Sequence, residues 1–475
     1  MKNLLALALC ILGAFQSMAQ NNPSTKPNII YILADDLGYG DLSSYGQINF
    51  KTPTLDSLAA HGVKFTQHYA GAPVCAPSRA ALMTGRDIGH GWVRGNYETG
   101  PLGLGAGLPL RLEDITLAEV LKKAAYHTAL IGKWGLGMDG TTGHPNKKGF
   151  DYFYGYLNQA HAHNHYPDYL YRNDRKIAIP ENADRNLKKF SSDLFTTEAL
   201  EFLDRQAENK PFFLYLAYTT PHAEMIVPDD ALFQSFKGKF NEQPYPGKDY
   251  SAEKTLGGYG HSAHPVATYA TMVVRLDRDV ARIIKMLQQK GLDKNTIIMF
   301  SSDNGSHKEG GFNPEVLNSS GSLRGAKRDL YEGGIRVPFI VSGTGIKSGV
   351  ISDHISGFPD ILPTLAAYAG VNLQKNGIKT DGISLLPVLS GMDKNQNDHK
   401  YLYWEFHEGN QPAQAIRFGK WKAVRYGALK EMEIYDLEAD KAEQRNVAAA
   451  HPTLVAKFLS MFNAARTPSP YWKIE

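Results

Sequence analysis

The 475-residue chain is 43% hydrophobic and 21% charged, the balance of a folded globular protein and not of a disordered one. Its formal net charge of +3 gives no whole-chain attraction for nucleic acid, although local positive charge remains open to an anionic substrate. A chain this long exceeds one ordinary core, so one large α/β domain with a smaller companion is the expectation.

Lys2 opens a basic start, residues 4–15 form a short apolar run, and Ser17, Met18 and Ala19 close it with small side chains. That order is a secretory signal with cleavage after Ala19, so residues 1–19 are expected to be removed and the mature protein exported, periplasmic or secreted. The run is too short for a stable span, and no other stretch is long enough to cross a membrane. Of the two cysteines, Cys10 lies in the signal, which leaves Cys75 without a disulfide partner in an oxidising compartment. Taken alone, such a residue reads as an inert buried cysteine.

Residues 28–34 are almost continuously apolar, as a strand buried on both faces of a parallel sheet is, and they end in Asp35-Asp36-Leu37-Gly38. Residues 54–61 read as helix, 63–69 as strand and 78–83 as a short helix. A helix is expected at 116–125, followed by strands at 128–131 and 212–217. The clearest helix, 269–289, places Met272, Val273, Leu276, Val280, Ile283, Ile284 and Leu287 on one stripe at helical spacing. It leads through Gly291 into a buried strand at 296–301, again ending in acid, Asp303-Asn304-Gly305. This alternation argues for a sheet flanked by helices, with ligands beyond the carboxyl ends of the strands. Beyond about residue 374 the texture changes to short strands at 401–406, 415–418 and 421–425 and a closing helix at 452–465. The expected division is therefore 20–373 for the large domain and 374–475 for a small antiparallel α+β domain.

The most specific segment is Cys75-Ala76-Pro77-Ser78-Arg79, continuing to Thr84-Gly85-Arg86. Pro77 suits the first turn of a helix, which sets residue 75 beside a helix N-terminus. That end favours an anion, Arg79 lies one turn on, and an unmodified thiolate is expected to be stabilised there. Asp35, Asp36, Asp303 and Asn304 offer hard oxygen ligands of the kind that suit Ca²⁺ or Mg²⁺, although an isolated Asp-Asp reads equally as a loop cap. Lys133 in Gly-Lys-Trp, His222 in Thr-Pro-His, and Lys327 in Arg-Gly-Ala-Lys each follow a strand or enter a glycine-rich loop.

These segments together resemble the type I, formylglycine-dependent sulfatases, from Pro27 to about Asn446 and in the expected order. The resemblance implies an alkaline-phosphatase-like fold, in which a large mixed, mainly parallel sheet lies between helices and a small C-terminal sheet domain follows. It implies that Cys75 is oxidised to formylglycine by a formylglycine-generating or anaerobic sulfatase-maturating enzyme. It further implies that Asp35, Asp36, Asp303, Asn304 and the modified residue 75 bind one metal ion, for which Ca²⁺ is the expectation and Mg²⁺ the lesser fit. Arg79, Lys133 and Lys327 then hold sulfate, and His222 protonates the leaving alcohol. The implied activity is hydrolysis of sulfate esters on carbohydrate. A phosphonate monoester hydrolase or phosphodiesterase of the same superfamily and a catalytically silent binder of sulfated sugar stand as alternatives.

One position departs from the family pattern, with Gly135 where a histidine is usual. The segment Gln159-Ala160-His161-Ala162-His163-Asn164-His165 is the place to seek a substitute. Read as extended, it aims alternate imidazoles one way, with Gln159 or His161 expected near the sulfate, His163 beside them, and zinc binding as the rival. His90, Arg94 and Asn96 follow the signature and either line the pocket or are ordinary loop polarity. Trp404 and His407, in Trp-Glu-Phe-His-Glu, offer an aromatic face and an imidazole for a sugar, or simply alternate in a half-buried strand. The Gly135 and Ala-His-Asn combination resembles sulfatases of galactose-type sugars, so a galacto-configured substrate is expected.

Overall fold

A computed structural model describes residues 26–96, 99–100, 103–104, 107–207, 210–247, 259–408, 411–428 and 431–474; the proposed signal, 1–19, lies outside them. The strands in chain order are β1 (Asn28–Asp35), β2 (Gly62–Tyr69), β3 (Thr99–Gly100), β4 (Gly103–Leu104), β5 (His127–Lys133) and β6 (Tyr152–Tyr156). They continue as β7 (Tyr169–Arg172), β8 (Arg175–Ala178), β9 (Phe212–Pro221), β10 (Thr296–Ser302), β11 (Arg336–Gly343), β12 (Val350–Ser352) and β13 (Ser356–Gly357). The last four are β14 (Leu402–Phe406), β15 (Ala413–Phe418), β16 (Trp421–Tyr426) and β17 (Glu433–Asp436).

Among the described residues the main sheet has eleven strands, in the order β12-β2-β11-β10-β1-β9-β5-β6-β7-β8 with β13 beside β2. Its centre, β10-β1-β9-β5-β6, is wholly parallel, while β11 runs antiparallel to both β10 and β2. Successive side chains of a strand face opposite ways, and β1 sorts the core accordingly. Ile30, Ile32 and Ala34 pack with the helices Pro53–Ala60, Ser191–Asp204 and Pro265–Gln289. Ile29, Tyr31 and Leu33 face the helices Cys75–Thr84, Leu117–Lys123 and Ile361–Ala369. Every residue of β1, β9 and β10 is buried, which is why these segments carry no polar alternation.

Three helix starts differ instructively from expectation. The long helix begins at Pro265, where a proline at the first position leaves no donor wasted. The helix expected at 78–83 spans Cys75–Thr84, so Cys75 is its first residue and Pro77 lies inside its first turn. Thr116, expected within a helix, is instead its cap: its hydroxyl accepts from Glu119 N–H, and the Glu119 carboxylate accepts from Thr116 N–H.

The second sheet, β14-β15-β16-β17, is antiparallel throughout. The Pro452–Ala464 helix covers one face through Phe458, Met461 and Phe462. The other face, with Trp404, Ala415 and Val424, packs on Tyr69, Leu330, Tyr331 and Ile335 of the large sheet's surroundings. The small sheet is thereby covered on both faces, and β14 is buried throughout, so the half-buried alternation offered as one reading of Trp404 and His407 does not hold.

Candidate active site

Because the central strands are parallel, their carboxyl ends open on one rim, the usual place for a site in such a sheet. Asp35 ends β1, Asp36 follows it, Lys133 ends β5, His222 follows β9, and Asp303 and Asn304 follow β10. Asp36 adopts φ 64°, a left-handed turn that aspartate tolerates better than most residues. Cys75 comes to this rim as the first residue of its helix. Each of these side chains is buried.

Salt bridges bind the set together. Arg79 Nε and Nη2 stand 2.9 and 2.8 Å from Asp303 Oδ2, with Nη2 also 3.3 Å from Asp35 Oδ1. Lys133 Nζ lies 2.7 Å from Asp35 Oδ2. Lys327 Nζ reaches Asp36 Oδ2 at 2.9 Å, His222 Nε2 at 2.9 Å and Glu309 Oε2 at 3.0 Å. His222 Nδ1 pairs with the Ala223 carbonyl, which assigns the proton to Nδ1 and leaves Nε2 to accept from Lys327.

The electrostatics follow from burial set against these partners. Burial raises the Asp35 carboxyl, yet Lys133 and Arg79 hold it well below the usual range. Burial and the Asp35 charge push Asp303 up to about 7. Burial, then the Lys327 ammonium, press His222 well below the ordinary imidazole value, so it is neutral at pH 7. Burial also pushes the Cys75 thiol well up, Lys133 opposing and Asp35 adding to it. The thiolate expected at the helix N-terminus is therefore not favoured, because a neutral thiol escapes the desolvation of a buried anion.

Asp35, Asp36, Cys75 and His222 offer ligand atoms within 4.8 Å of one another. His222 Nε2 is already taken by Lys327 and burial keeps the Cys75 thiol protonated, so the open donors are oxygens. Asn304 Nδ2 donates to Asp36 Oδ1 at 2.6 Å, while Asn304 Oδ1 is buried and accepts no hydrogen bond. An orphaned carbonyl oxygen beside three carboxylates fits a hard dication.

The other sequence candidates divide. Gln159 is at the site's flank: Gly135 has φ +75°, and a Cβ there would stand 2.0 Å from Gln159 Nε2, an amide nitrogen that is buried and without a partner. Gln159 thus occupies the volume a side chain at 135 would need. Gly135→Ala is expected to displace it and to force a left-handed alanine at about 1–2 kcal/mol, lowering both the thermal midpoint and turnover; unchanged values would separate Gly135 from Gln159. The histidine segment is not extended, since His161–His163 form a 3₁₀ turn. His163 stacks on His222 with ring centres 4.6 Å apart, but His161 points away, its ring against Tyr156 and Tyr169. No joint zinc site arises from that geometry.

Four expected substrate contacts are engaged elsewhere. His90 Nδ1 pairs with Asp381 at 3.2 Å. Arg94 Nη1 and His407 Nε2 both lie 3.2 Å from buried Glu405 Oε1. Trp404 is 2% exposed and donates its indole N–H to Ala70 O at 2.9 Å, so it offers no face to a sugar. Asn96, by contrast, is close to the nucleophile position, its Oδ1 accepting from Ala76 N–H at 3.1 Å.

Glu309 escaped the sequence reading. It pairs with Lys327, accepts from Tyr259 OH at 2.9 Å, and binds Arg328. Its only sequence signal is a position six residues beyond Asp303 in the loop that leaves β10.

Comparison with known proteins accounts for this arrangement. The sulfatase family model matches residues 27–371, and the C-terminal model of N-sulphoglucosamine sulphohydrolase matches 325–461. The chain is 31% identical to human steryl-sulfatase over 84% of its length and 75% of that protein. It is 32% identical to rat N-acetylgalactosamine-6-sulfatase over 93% of its length and 79% of that protein. Among solved structures it is similar to Ps i-CgsB in complex with k-i-k-neocarrahexaose, at TM-score 0.75 and 27% identity over 95% of both chains. A family model over most of its length, and relatives above 30% identity across most of both chains, show that the chain belongs to the sulfatase family and is a sulfuric ester hydrolase.

Proposed function

We propose that this protein is an exported, calcium-dependent sulfatase of galacto-configured sulfated carbohydrate, with Cys75 converted to formylglycine by a sulfatase-maturating enzyme. The observation that carries the reading is the placing of Cys75 at a helix N-terminus, within 4.8 Å of atoms of Asp35, Asp36 and His222. Carbohydrate as substrate is supported by relatives that are N-acetylgalactosamine-6-sulfatases and by the oligosaccharide held by Ps i-CgsB. Export rests on the segment 1–19; no helix among the described residues is long and apolar enough to cross a membrane.

Asp35, Asp36, Asp303 and Asn304 would hold the Ca²⁺, which supplies Lewis-acid polarisation of the sulfate oxygens when bound. The oxidised side chain at 75 supplies, as its hydrate, one hydroxyl to displace the alkoxide and a second to expel sulfate. Arg79 is locked on Asp303 and Asp35 and orients the helix that carries residue 75. Lys133 and Lys327 keep their ammonium groups despite burial, because Asp35 and Asp36 compensate them, so both are preset for sulfate oxygens. His222 is the general acid for the leaving oxygen: its Nε2 opens on the rim beside Cys75, and when Lys327 turns to the sulfate that nitrogen is free to carry a proton from solvent to the alkoxide.

The test is protein expressed with a maturating enzyme, the mass of the peptide containing residue 75, and sulfate release from a panel of galacto- and gluco-configured sulfated sugars, with Ca²⁺ or with chelator. Aldehyde at 75 and Ca²⁺-dependent release from galacto-configured members is the expected result. Release from gluco-configured sugars alone overturns the sugar assignment. Aldehyde-bearing protein that cleaves only phosphonates or phosphodiesters, or binds sulfated sugar and cleaves nothing, overturns the sulfatase reading.

A further inference from the structure

Lys422 projects from β16 of the small sheet and is wholly buried, as are Glu332 and Glu443. Its Nζ lies 3.0 Å from Glu332 Oε1 and 2.8 Å from Glu443 Oε1. Glu443 Oε2 accepts from Glu332 N–H at 2.7 Å, and Tyr69 OH donates to Glu332 Oε2 at 2.7 Å. Arg336 Nη1 approaches Glu332 Oε2 at 3.3 Å. Buried charges stabilise a fold less well than apolar packing of the same volume, and their attested use is to fix one geometry.

What this array fixes is the turn Glu332-Gly333-Gly334. Gly305 N–H donates to Gly334 O at 2.9 Å, and a Cβ at Gly305 would stand 1.9 Å from Gly333 O. The turn is therefore in direct backbone contact with the residue that follows Asp303 and Asn304. Gly333 N–H also donates to Arg324 O at 2.7 Å. Arg324 Nη1 in turn donates to Glu443 O at 2.8 Å and to Tyr435 OH at 2.9 Å. Lys327 lies between these two anchors, its own N–H on Ser306 O at 2.8 Å. The loop that brings its ammonium to Asp36 is tied to the small sheet at both ends.

We propose that Lys422 is a positioning residue for the sulfatase reaction. By pairing Glu332 and Glu443 at once it sets the depth of the 332–334 turn, and through that turn the placing of Asp303, Asn304 and Lys327. The small sheet then acts as the brace of the metal-binding loop and of the sulfate-holding lysine. The inference rests on the roles given to those residues above, so two arms of its test are free of activity.

The experiment compares wild type with Lys422→Met, Glu443→Gln and the double variant, all bearing the aldehyde at 75. The double variant restores the charge balance of the buried array, and so its folding, without restoring the link. Amide exchange across 324–334 is expected to quicken about tenfold in Lys422→Met and in the double variant, with β1 and β10 unchanged, a coupling of ordinary size. Ca²⁺ affinity by calorimetry, using the metal alone, is expected to weaken by a similar factor, as is kcat, with KM moving less than about twofold. Variants that melt earlier yet keep wild-type exchange, Ca²⁺ affinity and kcat would reduce the array to a fold support and overturn the proposal. If wild type releases no sulfate, the functional reading fails, while exchange and Ca²⁺ binding still decide the positioning.

Discussion

Cys75→Ala is expected to abolish sulfate release, by roughly 10⁴-fold or more, as removal of a covalent nucleophile does, while leaving the fold standing. The residue is the first of its helix and 3% exposed. Alanine suits a helix, so the change removes a single heteroatom from a packed site and costs about 1 kcal/mol or less by the usual deletion scale. Arg79, Lys133, Lys327 and the carboxylates keep one another's company without it. Sulfate release, thermal midpoint and Ca²⁺ affinity measured on the same preparation therefore part ways: the first collapses, the second holds, and Ca²⁺ still binds through Asp35, Asp36, Asp303 and Asn304, weaker only by the one ligand that residue 75 supplies. A variant that keeps a substantial fraction of wild-type turnover would place the nucleophile on another residue.

The contrast between the two halves of the chain shows what a sequence displays. β1, β9 and β10 belong to the parallel centre of a mixed sheet, so burial on both faces leaves uninterrupted apolar runs, and the polar residues that end them are conspicuous. Asp35, Asp36, Asp303 and Asn304 stand out for that reason, and the parallel order brings them to one edge. β14 looks different: Tyr, Trp, Glu, Phe and His in succession imitate a strand with one wet face. Its polar members are consumed internally, Glu405 by neighbouring His407 and by Arg94 and Arg466, and the convergence of those two arginines from distant segments leaves no local trace.

The 159–166 segment fails for another reason. Alternating histidines suggest a strand by spacing alone, but the backbone turns at His161–His163 and sends neighbouring rings to different surroundings. Glu309 and the Glu332–Lys422–Glu443 array were equally hidden, since a buried ion pair depends on tertiary distance and not on spacing in the chain. Motif residues fixed by the turn after a strand were legible; partners supplied from elsewhere were not.

Asp303→Ala is expected to bring the largest loss of stability at the site together with loss of the metal response. Asp303 Oδ2 takes two nitrogens of Arg79, and Oδ1 accepts from Asp36 N–H at 3.0 Å. Without the carboxylate, a guanidinium that is 1% exposed keeps only the 3.3 Å approach to Asp35 and the Lys133 carbonyl. Stranding a buried charge in this way costs about 3–5 kcal/mol, a large share of the roughly 5–15 kcal/mol that holds a domain folded. Asp303→Asn keeps the size and an acceptor for Arg79 and should lose less, but it too removes an anionic oxygen ligand. Ca²⁺ at about 100 times its dissociation constant adds roughly 2.7 kcal/mol to a protein that binds it only when folded. Wild type should therefore melt later on addition of Ca²⁺, and both variants should show little or no shift. An Asp303→Ala protein protected by Ca²⁺ as fully as wild type would move the metal away from β10. An early melt with no Ca²⁺ response, and a milder melt for Asp303→Asn with the same silence, would separate the two duties of this carboxylate: holding Arg79 and holding the ion.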